Sequence, residues 1–192
     1  VNVVANALCP CRANRILLMY EEGGAIFAAD DNTALGVIDT YAPTGATFAG
    51  AQPALARLPP GSQSTHVCCY IDATILVCRI TTDDGGTFGG PVTILDPTLN
   101  DPLDTCSWPS VIRLINGRLL VAVEYYDDSV GVRTIVGCVS DDHGATWDNN
   151  GGVGYLIKSI FVGGFWSDCG RPSLGQAAAG YIWCAPTIAP TG

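Results

Sequence analysis

The sequence predicts an all-β chain assembled from repeated antiparallel units, and three observations carry that expectation. Two octapeptides match almost letter for letter, Thr81-Thr82-Asp83-Asp84-Gly85-Gly86-Thr87-Phe88 and Ser140-Asp141-Asp142-His143-Gly144-Ala145-Thr146-Trp147. Both read S/T-x-D-x-G-x-T-F/W, and their aspartates lie 142 − 83 = 59 residues apart. A second pattern, P-x3-R-L-x2-G, runs from Pro53 to Gly61 and again from Pro109 to Gly117, while Pro172 and Gly180 keep its two ends. Its offsets, 109 − 53 = 56 and 172 − 109 = 63, agree with the first spacing. Third, short apolar runs rich in Val, Ile, Tyr and Cys alternate with turn residues, and no segment has helical periodicity.

The octapeptide reads as a tight turn. An Asp side chain accepts hydrogen bonds from backbone N–H groups a few residues on, and Gly two residues later supplies a positive φ. The Thr is expected to begin the next strand, with the aromatic ring packed back over the turn. A worn copy, Pro43-Thr44-Gly45-Ala46-Thr47-Phe48, keeps G-x-T-F without the Asp.

Taken in order, the first repeat offers strands at 15–20 and 25–29 and then a loop rich in Asp and small residues. The second offers strands at 54–58, 65–71, 74–81 and 92–95, and the third at 110–115, 118–125, 133–140 and 155–162. The last reaches only 172–174 and 180–185. Four-stranded units with one turn motif each are β-propeller blades, which cannot bury both sheet faces alone. The register gives three blades, over about 5–52, 53–107 and 108–168, and part of a fourth over 169–192. That is an incomplete propeller, to be finished by a longer chain or by other copies. The sole methionine is Met19 and the chain opens at Val1, as in a processed or truncated product.

Composition narrows the function. With 18 acidic and 9 basic residues the net charge is −9, and Lys158 is the only lysine. No basic face is available to track phosphates, so a nucleic-acid partner is not expected, nor is an anionic membrane surface. No apolar run approaches the roughly 20 residues that span a bilayer, and no signal peptide is visible. Five of the nine cysteines (Cys68, Cys69, Cys78, Cys138 and Cys184) fall inside apolar β-like runs, where a thiol acts as a small core residue. The odd count leaves at least one unpaired. Cys9-Pro10-Cys11 has no histidine nearby, and neither Asp30-Asp31 nor Asp127-Asp128 has liganding spacing, so no metal and no cofactor are expected.

With the strands placed around them, the two Asp turns (Thr81, Asp83, Gly85, Thr87, Phe88 and Ser140, Asp142, Gly144, Thr146, Trp147) resemble the Asp-box blades of the sialidase/BNR-repeat superfamily. The resemblance covers nearly the whole chain and implies a fold rather than an activity, because such blades occur in sialidases, other glycoside hydrolases, lectin-like modules and viral tail components. A working sialidase of that family carries an R-I-P-like motif near its start, which is missing here. Its E-x8-G-x6-R pattern, set on Gly117, meets Trp108 in place of Glu and Glu124 in place of Arg. The resemblance therefore implies a non-catalytic module for glycan recognition or assembly on a secreted or virion-borne protein. The alternatives are a fragment of a glycoside hydrolase and a pure scaffold.

Propeller ligands usually meet the loops that enter the first strands and those that join the second and third. One such set here is Asp101, Asp104, Trp108, Phe165, Trp166, Asp168 and Arg171; the other is Glu21, Glu22 and 124–128. Gly117 plus seven gives Glu124 and Asn14 plus seven gives Glu21, so two blades place a carboxylate at one spot. Rings stack on pyranoside faces and carboxylates bind hydroxyls or exchange protons. Trp108, Tyr125, Trp166 and Arg171 are therefore the candidate sugar contacts, and Glu124, Asp168 and Glu21 the candidate catalytic carboxylates. The competing arrangement packs the tryptophans between blades and leaves the acids in water. Arg171 either points into the channel or pairs with Asp168, whereas Arg57 and Arg113 share a repeat position and read as structural. His66, in an apolar strand, and His143, at a variable turn position, read as non-catalytic.

Overall fold

The computed structural model describes residues 6–10, 16–31, 41–58, 65–158, 160–162, 165–167, 169–177 and 180–188. They form sixteen β-strands and two single 3-10 turns, Pro97–Leu99 and Asn150–Gly152. Strands β1 (Asn6–Pro10), β2 (Ile16–Glu22), β3 (Ala25–Asp31) and β4 (Tyr41–Ala49) make the first antiparallel meander. The second contains β5 (Ala51–Arg57), β6 (His66–Asp72), β7 (Ile75–Thr81) and β8 (Val92–Leu95). The third contains β9 (Thr105–Arg113), β10 (Leu119–Asp127), β11 (Val132–Ser140) and β12 (Tyr155–Lys158). Two pairs follow, β13 (Ile160–Val162) with β14 (Phe165–Ser167) and β15 (Cys169–Gln176) with β16 (Ile182–Ile188).

The sheets stack face to face with β1, β5, β9 and β15 successive neighbours. Period-two alternation gives each sheet two apolar faces. Leu17, Met19, Ile26 and Ala28 of the first meet Cys68, Tyr70 and Val77 of the second. Val67, Cys69 and Ile71 on the opposite face of the second sheet meet Val121, Val123 and Tyr125 of the third. Ala122 and Ile135 then meet Leu174 of β15. The thiols behave as core residues: Cys9, Cys68, Cys69, Cys78, Cys106 and Cys138 are buried, Cys184 is half-buried, and none of these seven is in a disulfide. Burial pushes the Cys9 and Cys78 thiols up to about 11 and that of Cys138 up to about 12. Cys11 lies outside the described residues.

Both Asp turns close the connection between third and fourth strands. Asp83 Oδ1 accepts from Thr81 Oγ1 and from the Thr87 N–H, at 2.7 and 2.8 Å, and its Oδ2 accepts from Thr87 Oγ1 at 2.7 Å. Asp142 repeats the pattern with Ser140 Oγ, the Thr146 N–H and Thr146 Oγ1 at 2.9, 2.8 and 2.6 Å. These bonds hold both carboxyls below the usual carboxylate pKa, that of Asp142 at about 2. The glycines also pack outward. A Cβ on Gly85, at φ +88°, would come within 2.7 Å of Leu17 in the first sheet. Trp147 donates from Nε1 to the Gly144 carbonyl and leans on the core between the second and third sheets.

Four sequence expectations need correction. Thr87 and Thr146 do not begin the fourth strands, which start at Val92 and Tyr155; their hydroxyls turn back to the aspartates instead. The segment read as a worn turn lies inside β4, opposite a bulge between Phe27 and Ala29. With no carboxylate to tie a turn, its Thr and Phe fill a strand, and the Phe48 ring packs tilted against Tyr70 and edge-on against Phe88. β3 runs on through Asp30 and Asp31, which pair with Ala42 and Tyr41 rather than opening a loop. The first strands begin earlier than the prolines suggested: β9 starts at Thr105 and β5 at Ala51. A bulge places each Pro where the ladder needs no N–H donor.

Candidate functional site

Those bulges organise the most distinctive edge of the structure. Gln52, Trp108 and Arg171 each precede a proline on the first strand of successive sheets, at 108 − 52 = 56 and 171 − 108 = 63 residues. All three are held in the left-handed region, at φ 55°, 53° and 48°. For a residue with a side chain this costs roughly 1–2 kcal/mol, so neighbouring groups must hold the conformation in place.

The holding groups come from the preceding sheet. Glu21 Oε2 accepts the Gln52 N–H at 2.9 Å, and Glu124 Oε2 accepts the Arg171 N–H at 3.2 Å. The two glutamates share one register position, because Glu21 pairs with Ile26 as Ile71 pairs with Leu76, and Glu124 lies as far past Leu119 as Ile71 lies past His66. At that position the second sheet has Ile71, which cannot accept a hydrogen bond. Gln52 supplies the missing acceptor, its Oε1 taking the Trp108 N–H. Each bulge is thus tied to the sheet before it, and the sequence adapts where the carboxylate is replaced.

Around Glu124 the polar contacts are dense. The residue is 8% exposed; its Oε1 accepts from Ser107 Oγ at 3.1 Å and lies 3.2 Å from Arg133 Nε. The Arg133 guanidinium also sits over the Tyr126 ring, 5.3 Å from its centre. Across the sheet boundary the exposed Arg171 lays its guanidinium over the half-buried Trp108 ring at 4.3 Å. The edge therefore presents an exposed guanidinium stacked on a half-buried indole, beside a carboxylate with both oxygens engaged.

Neighbouring strand residues point to opposite faces, which divides the candidates. Tyr125 turns away from Glu124 into the core between the second and third sheets, where its hydroxyl donates to Asp104. Burial, then Asp104, raises the Tyr125 phenol above its ordinary range. Asp104 is 3% exposed and also accepts the Asp128 N–H at 2.9 Å. Glu124 and Asp104 are therefore not solvated acids; both are buried by their hydrogen-bond donors. Trp166 lies on β14, paired with Phe161. Asp168, and with it the expected pairing to Arg171, lies outside the described residues; among them Arg171 meets the Trp108 ring and, through its N–H, Glu124. Gln52 was not among the sequence candidates, although its place before a repeated proline, shared with Trp108 and Arg171, was a readable signal. Arg57 ends β5, Arg113 is exposed at the end of β9, and His66 is buried with Nδ1 4.0 Å from Asp84 Oδ1. Among the described residues no group of three His, Cys, Asp or Glu side chains could hold a metal ion.

Comparison with solved structures supplies the architecture. The chain superposes on an ulvan lyase of polysaccharide lyase family PL25, with a TM-score of 0.68 and 14% identity, over 95% of this chain and 50% of that one. It matches the Penicillium chrysogenum α-L-arabinanase, solved with arabinobiose, at a TM-score of 0.66 and 15% identity, over 97% and 57%. The NanB sialidase of Streptococcus pneumoniae matches at 0.60 and 12%, over 93% and 27%. The fold is a β-propeller. At these identities the likeness shows the fold alone, and the chain spans about half the length of the lyase. No family model matches the chain, and no curated protein matches it by sequence.

Proposed function

We propose that the chain is part of an Asp-box propeller of the sialidase-like kind, and that it recognises glycans without cleaving them. On this reading blades occupy about 5–52, 53–107 and 108–168, a partial blade follows, and a longer chain or other copies supply the rest. The observation that carries the proposal is the Trp108–Arg171 stack on the bulged edge. A guanidinium held flat on an indole, beside fixed hydrogen-bonding groups, suits a pyranose, whose hydroxyls meet the cation and the polar partners while its C–H groups pack on the part of the ring left exposed. The engagement of Glu124 supports recognition over hydrolysis, because Ser107, Arg133 and the Arg171 N–H already occupy its oxygens. A general acid would have to release them. The setting that fits is a secreted or particle-borne protein such as a phage tail component. Among the described residues no helix is long and apolar enough to cross a membrane.

A glycan array probed with the chain and with Trp108→Ala and Arg171→Ala tests this. Binding to a defined set of glycans, lost in Trp108→Ala and weakened in Arg171→Ala, is the expected result. Absence of binding to every sugar would overturn recognition and leave a scaffold. A second reading, a glycoside hydrolase fragment, is favoured by neighbours that include an arabinanase and a sialidase. Its acids would come from Glu124, Asp168 and Glu21. Turnover of an aryl-glycoside panel that disappears in Glu124→Gln would establish it.

A further inference from the structure

A cleft of about 700 Å³ opens beside the third sheet, between the segment 100–104 and the hairpin joining β10 to β11. That volume is in the range of small-molecule sites. Its floor is aliphatic, made by Val132, Val136, Val153 and Leu156, of which Leu156 is 64% exposed and Val153 43%. Among the described residues the only charged side chains lining it are Asp101, Asp104 and Asp127. Among the described residues their hydrogen-bond donors are neutral. Asp104 holds Tyr125 Oη and the Asp128 N–H, Asp101 Oδ1 accepts the Leu103 N–H, and Asp127 Oδ1 accepts from Ser129 Oγ. Negative charge from the half-buried Asp101 and Asp127 and the buried Asp104 therefore lines an apolar trough, with no basic side chain among its described lining residues.

We propose that this cleft binds an alkylammonium group, with the hydrocarbon body on the valine and leucine floor and the ammonium at the carboxylate lip. A bare metal ion does not suit it, because no three ligating side chains of the described residues come close enough together. A sugar does not suit it either: Tyr125 is 8% exposed and spends its hydroxyl on Asp104, so no aromatic face is offered. Apolar contact and paired charge each fit an amine carried on four to six methylenes, and the net charge of −9 favours its approach. The shared chemistry belongs equally to a free aliphatic amine and to a lysine side chain of a partner protein. The site uses none of the groups at Trp108 and Arg171.

Amide NMR titration of the full chain with hexylammonium, and in parallel with hexanol, tests the proposal. Hexylammonium is expected to bind saturably at residues lining the cleft, about fivefold tighter than hexanol, because an ion pair at partly exposed carboxylates contributes up to about 1 kcal/mol. Asp101→Asn combined with Asp127→Asn, with unchanged circular dichroism, should remove about that factor, and Leu156→Ser should weaken both ligands. Equal affinity for the alcohol, or an unaffected double variant, overturns the proposal. Competition by Nα-acetyl-lysine amide, which keeps its side-chain ammonium, assigns the site to a protein partner, and binding of hexylammonium alone assigns it to a free amine. Trp108→Ala should leave amine binding intact, which separates this result from that of the glycan array.

Discussion

Replacing Glu124 with Ala and with Gln probes the bulged edge through its best-defined anchor. The carboxylate accepts hydrogen bonds from Ser107 and from the Arg171 N–H and pairs with Arg133. A hydrogen bond to a charged group contributes about 1.5–3 kcal/mol. Both donors lie near the water-exposed edge, so the lower end of the range applies to each. The Arg133 side chain is 44% exposed, and such a pair adds at most about 1 kcal/mol. Glu124→Ala should therefore cost about 3 kcal/mol and lower the melting temperature by about 6–12 °C, since a chain of this size shifts by about 2–4 °C per kcal/mol. Glu124→Gln keeps one carbonyl acceptor of the same reach and should cost about 1 kcal/mol. Urea and thermal unfolding followed by circular dichroism would measure both. Equal losses in the two variants, or a melting temperature unchanged in Glu124→Ala, would refute the reasoning.

Three further outcomes follow from the same structure. The Asp142 carboxyl is lowered from 3.8 to about 2 by its bonds to Thr146 and Ser140, so its stabilisation is complete above pH 4 and disappears as pH falls through about 2; the gap in denaturation midpoint between the native chain and Asp142→Asn should close over that window. Gly50 sits at φ +144°, and a Cβ added there would overlap the Tyr70 ring, so Gly50→Ala should lose about 1–3 kcal/mol in urea unfolding. Gln52→Ala should destabilise by about 1 kcal/mol, and Ile71→Glu should be less harmful in that background than in the native chain, because residue 71 occupies the register of Glu21 and Glu124; a double-mutant cycle reads the coupling.

How much of this was legible in the sequence varies by element. The Asp turns were readable because four fixed positions do local work: a hydroxyl, a carboxylate, a glycine at positive φ and a second hydroxyl close one ring of bonds. The middle strands were readable because apolar runs such as His66–Asp72 have both faces buried. First strands were misjudged because Pro53, Pro109 and Pro172 resemble breakers, and only the pairing shows them seated at bulges. Residues 43–48 were misjudged because G-x-T-F alone does not make a turn without its carboxylate. At the site, the equivalence of Glu21 and Glu124 could be counted from Gly117 and Asn14. Their partners could not, because those N–H groups lie 31 and 47 residues away on a neighbouring sheet. The separation of Glu124 from Tyr125 depended on knowing which face of β10 meets which neighbour.

Amide hydrogen exchange at Gln52, Trp108 and Arg171 tests most directly whether a chain of side-chain acceptors fixes these three left-handed positions. Each N–H should exchange as slowly as the ladder amides of β10, and Glu124→Ala should accelerate Arg171 while leaving Gln52 unchanged. Exchange of all three at the rate of an open loop would contradict the account.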